Sequence, residues 1–117
     1  MTPDIFSALS DPTRRSIVEI LANHDHLPAS EIYDNFQVSP QAISKHLKIL
    51  RESNVVHVEK RAQQRLYRIN TDSLLEMEQW IRTLSQRWTR RLDKLDEVLK
   101  SEMIKGTLQR KEGDDTK

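Results

Sequence analysis

The 117-residue chain has no cysteine, which excludes disulfides, thiolate metal sites and thiol redox sensing. Its two glycines are too few for a glycine-rich loop around nucleotide phosphates. No Ser/His/Asp set or metal triad is visible either, so neither enzyme activity nor a cofactor is expected. No apolar run approaches the roughly twenty residues of a membrane span. The start carries no signal-peptide pattern, so a cytoplasmic location is expected. A further absence is local: from Val38 to Leu50, "VSPQAISKHLKIL", there is no acidic residue, although an ordinary exposed helix mixes both signs.

What remains is 36% hydrophobic and 32% charged. That mixture suits one small helical domain whose core is thin enough to gain from dimerisation. The formal net charge of +1 says nothing about partners, but its distribution does. Residues 1–39 carry a balance of −4 and residues 40–70 a balance of +5, while 71–105 and 106–117 are each neutral. Within 40–70, Lys45, Lys48, Arg51, Lys60, Arg61, Arg65 and Arg68 stand against only Glu52 and Glu59. Such a concentration is the footprint of a polyanionic partner, with a plain solvated face as the competing reading.

Asp11 as N-cap and Pro12 at the first helical position open a helix with Ile17, Val18, Ile20 and Leu21 inward. Before it, "PDIFSAL" predicts a shorter helix with Ile5, Phe6 and Leu9 inward. "LPASEIYDNF" predicts a third, capped by Ser30 or opened near Pro28, with Ile32 and Phe36 on one side. Ser39 then caps, and Pro40 begins, a helix over 40–51 in which Ile43, Leu47 and Leu50 fall at i, i+4 and i+7. With only "QV" between these last two, they form a helix-turn-helix. After "ESN" breaks the pattern, "VVHVEKR" and "RLYRI" predict a β-hairpin over 55–69 across "AQQ". Without the glycine of a tight hairpin, its tip is expected to be longer and mobile. A long helix is expected from Thr71 to about Lys105, on the spacing of Leu74, Met77, Ile81, Leu84, Trp88, Leu92, Leu95 and Leu99. The consecutive steps of four at Leu84–Trp88–Leu92 leave room for a bend or a second helix. The tail, 106–117, has little to bury and is expected to be disordered. The layout is thus a DNA-binding domain over 1–71, a dimerisation helix over 72–105, and the tail.

A helix-turn-helix followed by a two-stranded ribbon is a winged helix, a fold that is mainly α with a small β-hairpin. The stretches "LSDPTRRSIVEIL" (Leu9–Leu21), "VSPQAISKHLKILRESNVV" (Val38–Val56) and "RLYRIN" (Arg65–Asn70) resemble the ArsR/SmtB group of bacterial winged-helix transcriptional repressors. "WTRRLDKLDEVL" (Trp88–Leu99) resembles the closing helix of a metal-independent branch of that group. The resemblance implies that Gln41, Ser44 and Lys45 are base-facing. The chemistry agrees, because a helix entering a groove about 12 Å wide needs short or flexible polar side chains and no carboxylates. Gln41 can pair with adenine, Ser44 with either edge type, and Lys45 with guanine or phosphate. Lys48 extends this face, and Ser39 with the helix N-terminus can hold phosphate through backbone N–H groups. Arg61 and Arg65 flank the ribbon tip, within reach of a minor groove or of phosphates. His46 either packs on the neighbouring helix or contacts a base. Arg68 is expected to pair with Glu59, and Arg15 with Glu19. The group's wing usually has a glycine near Gln63, which this chain lacks.

One winged helix reads only about four to six base pairs, so a homodimer on an inverted repeat of double-stranded DNA is expected. Its interface is expected to combine Ile5 and Phe6 of the first helix with Trp80, Trp88, Leu92, Leu95 and Leu99, the tryptophans acting as anchors. Leu74 and Met77 are expected to cover their own domain's core. The cysteine and histidine positions of the group's usual metal sites are empty here. His24 and His26 in "NHDH" are the only local cluster of ligand types, and a two-residue spacing in a loop reads as an exposed polar turn. A metal-responsive repressor using His24 and His26 is one alternative, and a winged-helix module that binds protein is another. No small-molecule or protein effector is legible.

Overall fold

The computed structural model describes the backbone of residues 4–115 and the side chains of residues 4–106. In chain order the elements are α1 (Ile5–Ala8), α2 (Pro12–Leu21), β1 (Leu27–Pro28), α3 (Ala29–Asp34), α4 (Pro40–Glu52), β2 (Val56–Arg61), β3 (Gln64–Ile69) and α5 (Thr71–Asp115). The chain divides into two compact units, Met1–Met77 and Glu78–Lys117.

The expected caps are present. Asp11 accepts the Arg14 N–H at 3.0 Å, with Pro12 at the first helical position of α2. Ser39 accepts the Ala42 N–H at 3.2 Å, with Pro40 opening α4. Each satisfies a donor that the first helical turn leaves orphaned. For α3 the second of the two expected starts holds: Pro28 occupies the N-cap position with no side-chain bond, and Ser30 lies inside the helix.

α3 is shorter than its apolar pattern suggested. It ends at Asp34, where the Asn35 amide turns back to the Glu31 carbonyl at 2.8 Å. The link to α4 therefore runs from Asn35 to Ser39 rather than through "QV" alone. Phe36 still packs on the core from this link.

α4 closes in a Schellman motif. The Val55 N–H reaches the Leu50 carbonyl at 2.9 Å, and the Asn54 N–H reaches Arg51 at 3.0 Å. Asn54 takes the left-handed position, with φ of 62°, which asparagine tolerates better than most residues. This turn aims Val55 and Val56 straight into the core.

The core joins Ile17 and Leu21 of α2, Ile32 of α3, Ile43, Leu47 and Leu50 of α4, and Val55, Val56, Leu27 and Tyr67. The hairpin belongs to a three-stranded antiparallel sheet ordered β1-β3-β2. β1, which the sequence did not announce, pairs Leu27 with Tyr67 and Pro28 with Leu66. A two-residue strand ending in proline has neither the length nor the alternation by which strands are recognised.

The hairpin tip corrects the expectation of a long loop. Arg61 pairs with Gln64, leaving only Ala62 and Gln63 in the turn. Ala62 supplies the positive φ, 53°, at the first central position, where a glycine would ordinarily relieve the strain. The Arg68–Glu59 pair does not form, because the register sets Arg68 opposite His57 and Glu59 opposite Leu66. Glu59 instead meets Arg61, at 3.5 Å.

α5 is one unbroken helix from Thr71 to Asp115, so no second helix begins at Trp88 and the helix passes the expected end at Lys105. Over 106–115, where a disordered tail was expected, the backbone continues α5; the side chains beyond residue 106, and residues 116 and 117 entirely, lie outside the described residues. Leu74 and Met77 are half-buried in the first unit. In the second unit, Trp88, Leu92, Leu95 and Leu99 are exposed along the helix. Pairs of the i, i+4 kind, Glu78 with Arg82 and Asp96 with Lys100, lace its polar surface.

Candidate nucleic-acid interface

α4 buries one face and offers the other. Ile43, Leu47 and Leu50 are in the core, whereas Gln41, Ser44, Lys45, Lys48 and Arg51 are exposed. The first carboxylate on the helix is Glu52, 4.0 Å from Lys48. An exposed i, i+4 pair at that distance offsets little of the cationic field.

Strand parity decides which hairpin residues join this face. Directly opposed residues share a side of the sheet, so Lys60, Arg65 and Tyr67 lie on one side and Arg61, Glu59 and Gln64 on the other. Arg65 and Tyr67, together with Ser44, Lys45, Lys48 and Arg51, line a hollow of about 160 Å³ between α4 and the hairpin. The structure thus brings Ser44, Lys45, Lys48 and Arg65 together. It sets Arg61 on the opposite side of the ribbon, beside Glu59. Ser39 and Gln41 stand exposed at the N-terminal end of α4, with the Ser39 hydroxyl engaged in the cap.

Arg51 and Tyr67 were not singled out from the sequence. The signal for Arg51 was present, since Lys45, Lys48 and Arg51 recur at i, i+3 and i+6. For Tyr67 it was the i, i+2 spacing from Arg65 on one strand, although which side of the ribbon meets α4 is decided only by packing.

His46 is placed on the inner side of α4 rather than on its outward face. Its Nδ1 lies 3.2 Å from Nη1 of Arg14 and 3.8 Å from Oδ2 of Asp11. A guanidinium can only donate, so Nδ1 accepts and the neutral ring carries its proton on Nε2. Arg14 also donates through Nε to the Ala8 carbonyl at 2.6 Å and through Nη2 to Ser7 at 3.3 Å. Arg15 donates to Leu9 and Ser10 at 2.9 and 3.2 Å, not to Glu19 as expected. These two cations oppose the dipole of α2 but satisfy carbonyls at and just past the end of α1. The Arg14 backbone N–H holds the Asp11 carboxyl below its ordinary value; burial opposes the effect, and the charge of Arg14 adds to it.

Just past the C-terminal end of α4, the Asn54 carbonyl accepts from the Asn70 amide at 2.8 Å and the Ser73 hydroxyl at 2.7 Å. The helix is therefore fastened to the domain that carries it at its middle, through His46, and just past its C-terminal end.

His24 and His26 are exposed in the loop after α2. Among the described residues no group of three or more His, Cys, Asp or Glu side chains is arranged to hold a metal, and no helix is long and apolar enough to cross a membrane. Ile5 is half-buried against the core, Phe6 is exposed, and in the second unit Trp80, Trp88, Leu92, Leu95 and Leu99 are exposed. Arg91 lies over the Trp88 ring, 5.9 Å from its centroid.

Comparison with known proteins agrees with this geometry. Residues 9–59 match the family described as a helix-turn-helix domain. The transcriptional repressor SdpR of Bacillus subtilis (strain 168) is 36% identical over 78 residues, covering 67% of this chain and 86% of that protein. The HTH-type transcriptional regulator Rv2034 of Mycobacterium tuberculosis is 36% identical over 103 residues, 86% of this chain and 92% of the relative. Among solved structures, an ArsR-like transcriptional regulator from Rhodococcus sp. RHA1 superposes with a TM-score of 0.71 at 31% identity, over 80% of this chain and 88% of the other.

Proposed function

Since the chain belongs to the ArsR family of winged helix-turn-helix transcriptional regulators, we propose that it acts as a homodimeric repressor on an inverted-repeat operator. The observation that carries this reading is the exposed, acid-free face of α4 joined to the wing by Arg65. Gln41, Ser44 and Lys45 read base edges in the major groove. Ser39 with the N-terminus of α4, Lys48 and Arg65 hold the backbone. Arg61, on the far side of the wing, grips a flanking phosphate once it leaves Glu59.

Dimerisation follows from what the second unit leaves in water. Trp88, Leu92, Leu95 and Leu99 are each between 46% and 59% exposed and recur every three or four residues. A stripe of that kind is stable only when a second apolar surface covers it. A second copy also doubles the length of sequence read, which genomic specificity requires. The same fold and relatives point to a regulator rather than an enzyme, working beside the chromosome in the cytoplasm.

The test is recovery of genomic fragments by the purified protein at physiological salt, followed by sequencing. Enrichment of an inverted repeat near a promoter is expected. Lys45→Ala combined with Arg65→Ala is expected to abolish operator affinity while the protein stays a folded dimer. Fragments without a shared sequence, or an unaffected double variant, would sink the proposal in favour of a protein-binding module.

A further inference from the structure

The hollow between α4 and the hairpin holds more positive charge than the reading of bases requires. Lys45, Lys48, Arg51 and Arg65 surround a space of about 160 Å³. Of these, only Lys48 has a carboxylate within 4.0 Å among the described residues. Three come from one helix at i, i+3 and i+6, and the fourth from β3, so two separately folded elements deliver like charges to one place. Like charges in such an arrangement repel, and the arrangement stays favourable where an anion enters it.

The remaining lining consists of two hydroxyls. Ser44 is exposed on α4. Tyr67 is only 6% exposed, and its hydroxyl makes no hydrogen bond to protein among the described residues. No buried side-chain oxygen among the described residues lacks a partner, so this hydroxyl is open to the hollow that Tyr67 lines. A lining of cations and hydroxyls with no carboxylate suits oxygen acceptors. The space of about 160 Å³ amounts to several waters at about 30 Å³ each, enough to admit one tetrahedral oxyanion.

We propose that this hollow seats a single phosphate of the DNA backbone, clamped by Arg51 and Arg65 and by the Tyr67 hydroxyl. The proposal rests on the DNA-binding reading above and adds Arg51 and Tyr67 to it. The clamp sets the depth and roll of α4 in the groove, because it joins the helix and the wing through one atom group of the ligand. It carries no sequence information itself.

The experiment measures affinity of the full chain for its operator and for a duplex of arbitrary sequence across a salt series, with Arg51→Gln, Arg51→Lys and Tyr67→Phe. Arg51→Gln is expected to weaken both duplexes by the same factor. It is also expected to flatten the slope of log affinity against log salt by about one unit per clamp. Arg51→Lys retains the slope and reports on helix integrity, and Tyr67→Phe lowers affinity without changing the slope. Three results overturn the clamp while leaving DNA recognition intact. In the first, Arg51→Gln changes neither slope nor affinity, although Lys45→Ala with Arg65→Ala abolishes operator binding. In the second, Arg51→Gln weakens the operator alone, which would make Arg51 a base reader. In the third, inorganic phosphate alone saturates the hollow at constant ionic strength, read from amide shifts at Lys48 and Tyr67 that vanish in Arg51→Gln; the site would then serve free phosphate. If the wild-type protein binds neither duplex, the DNA-binding reading fails first and the clamp with it.

Discussion

Arg14 does three things at once. It lends its backbone N–H to the Asp11 cap, closes carbonyls of α1 through its guanidinium, and donates to His46 on α4. From the sequence, a cation in the first turn of a helix looks misplaced, and Arg15 looked like half of a pair with Glu19. Both arginines instead end on backbone carbonyls, which no pattern of side chains announces. Asp11 gives this corner a pH dependence. Its carboxyl is held below its ordinary value, so the charged form stabilises the folded state. That contribution is complete above the unfolded carboxylate value of about 3.9 and disappears as pH falls through the lower folded value. Asp11→Asn keeps a capping oxygen and removes the charge. Its stability deficit, measured by denaturant titration, is expected to be constant from neutral pH down to about 4 and to close below that. A deficit that persists unchanged in acid would mean the charge contributes nothing.

At the scale of elements, α4 was legible almost in full: the cap, the proline, the inward stripe and the outward face all follow from spacing. The hairpin was legible as two strands but not in its register, and the register decides function here. It puts Arg65 beside α4 and Arg61 on the other side of the ribbon, two residues that look equivalent in the sequence. The tip stays tight without glycine because Ala62 accepts a left-handed φ of 53°, a strain that adjoining strand pairs hold in place. Ala62→Gly is therefore expected to stabilise the domain by roughly 1 kcal/mol in thermal unfolding, with operator affinity unchanged. A loss of stability would show that the turn is not strained. In α5 the apolar stripe rather than any one residue makes the case for a second chain. Leu92→Asp with Leu95→Asp is expected to give a monomer in sedimentation, still folded in its winged-helix unit and without measurable operator affinity. A variant that stays dimeric would exclude the stripe as the interface.

For the whole molecule, the decisive property is uneven charge on a nearly neutral chain. The stretch 40–70 carries +5 while the chain carries +1, so attraction to DNA is local and the rest of the surface adds little to it. A dimer making about six to ten phosphate contacts should lose roughly 10³- to 10⁵-fold in affinity between 50 and 200 mM salt. Filter binding or fluorescence anisotropy across that range measures it, and a flat response would argue against the interface as a whole.

The sequence alone determined the types of the elements other than β1, the caps of α2 and α4, the buried stripe of Ile43, Leu47 and Leu50, and the acid-free outward face. Each of these is set by neighbours within a few positions along the chain, where periodicity and capping chemistry act. Tertiary structure decided the rest: the β1 pairing, the sides taken by Arg61 and Arg65, the inward placement of His46 onto Arg14, and the hollow that collects Arg51 and Tyr67. Those depend on register and on which elements pack together. A one-residue shift in a strand exchanges its two faces, and no local pattern in this chain reports such a shift.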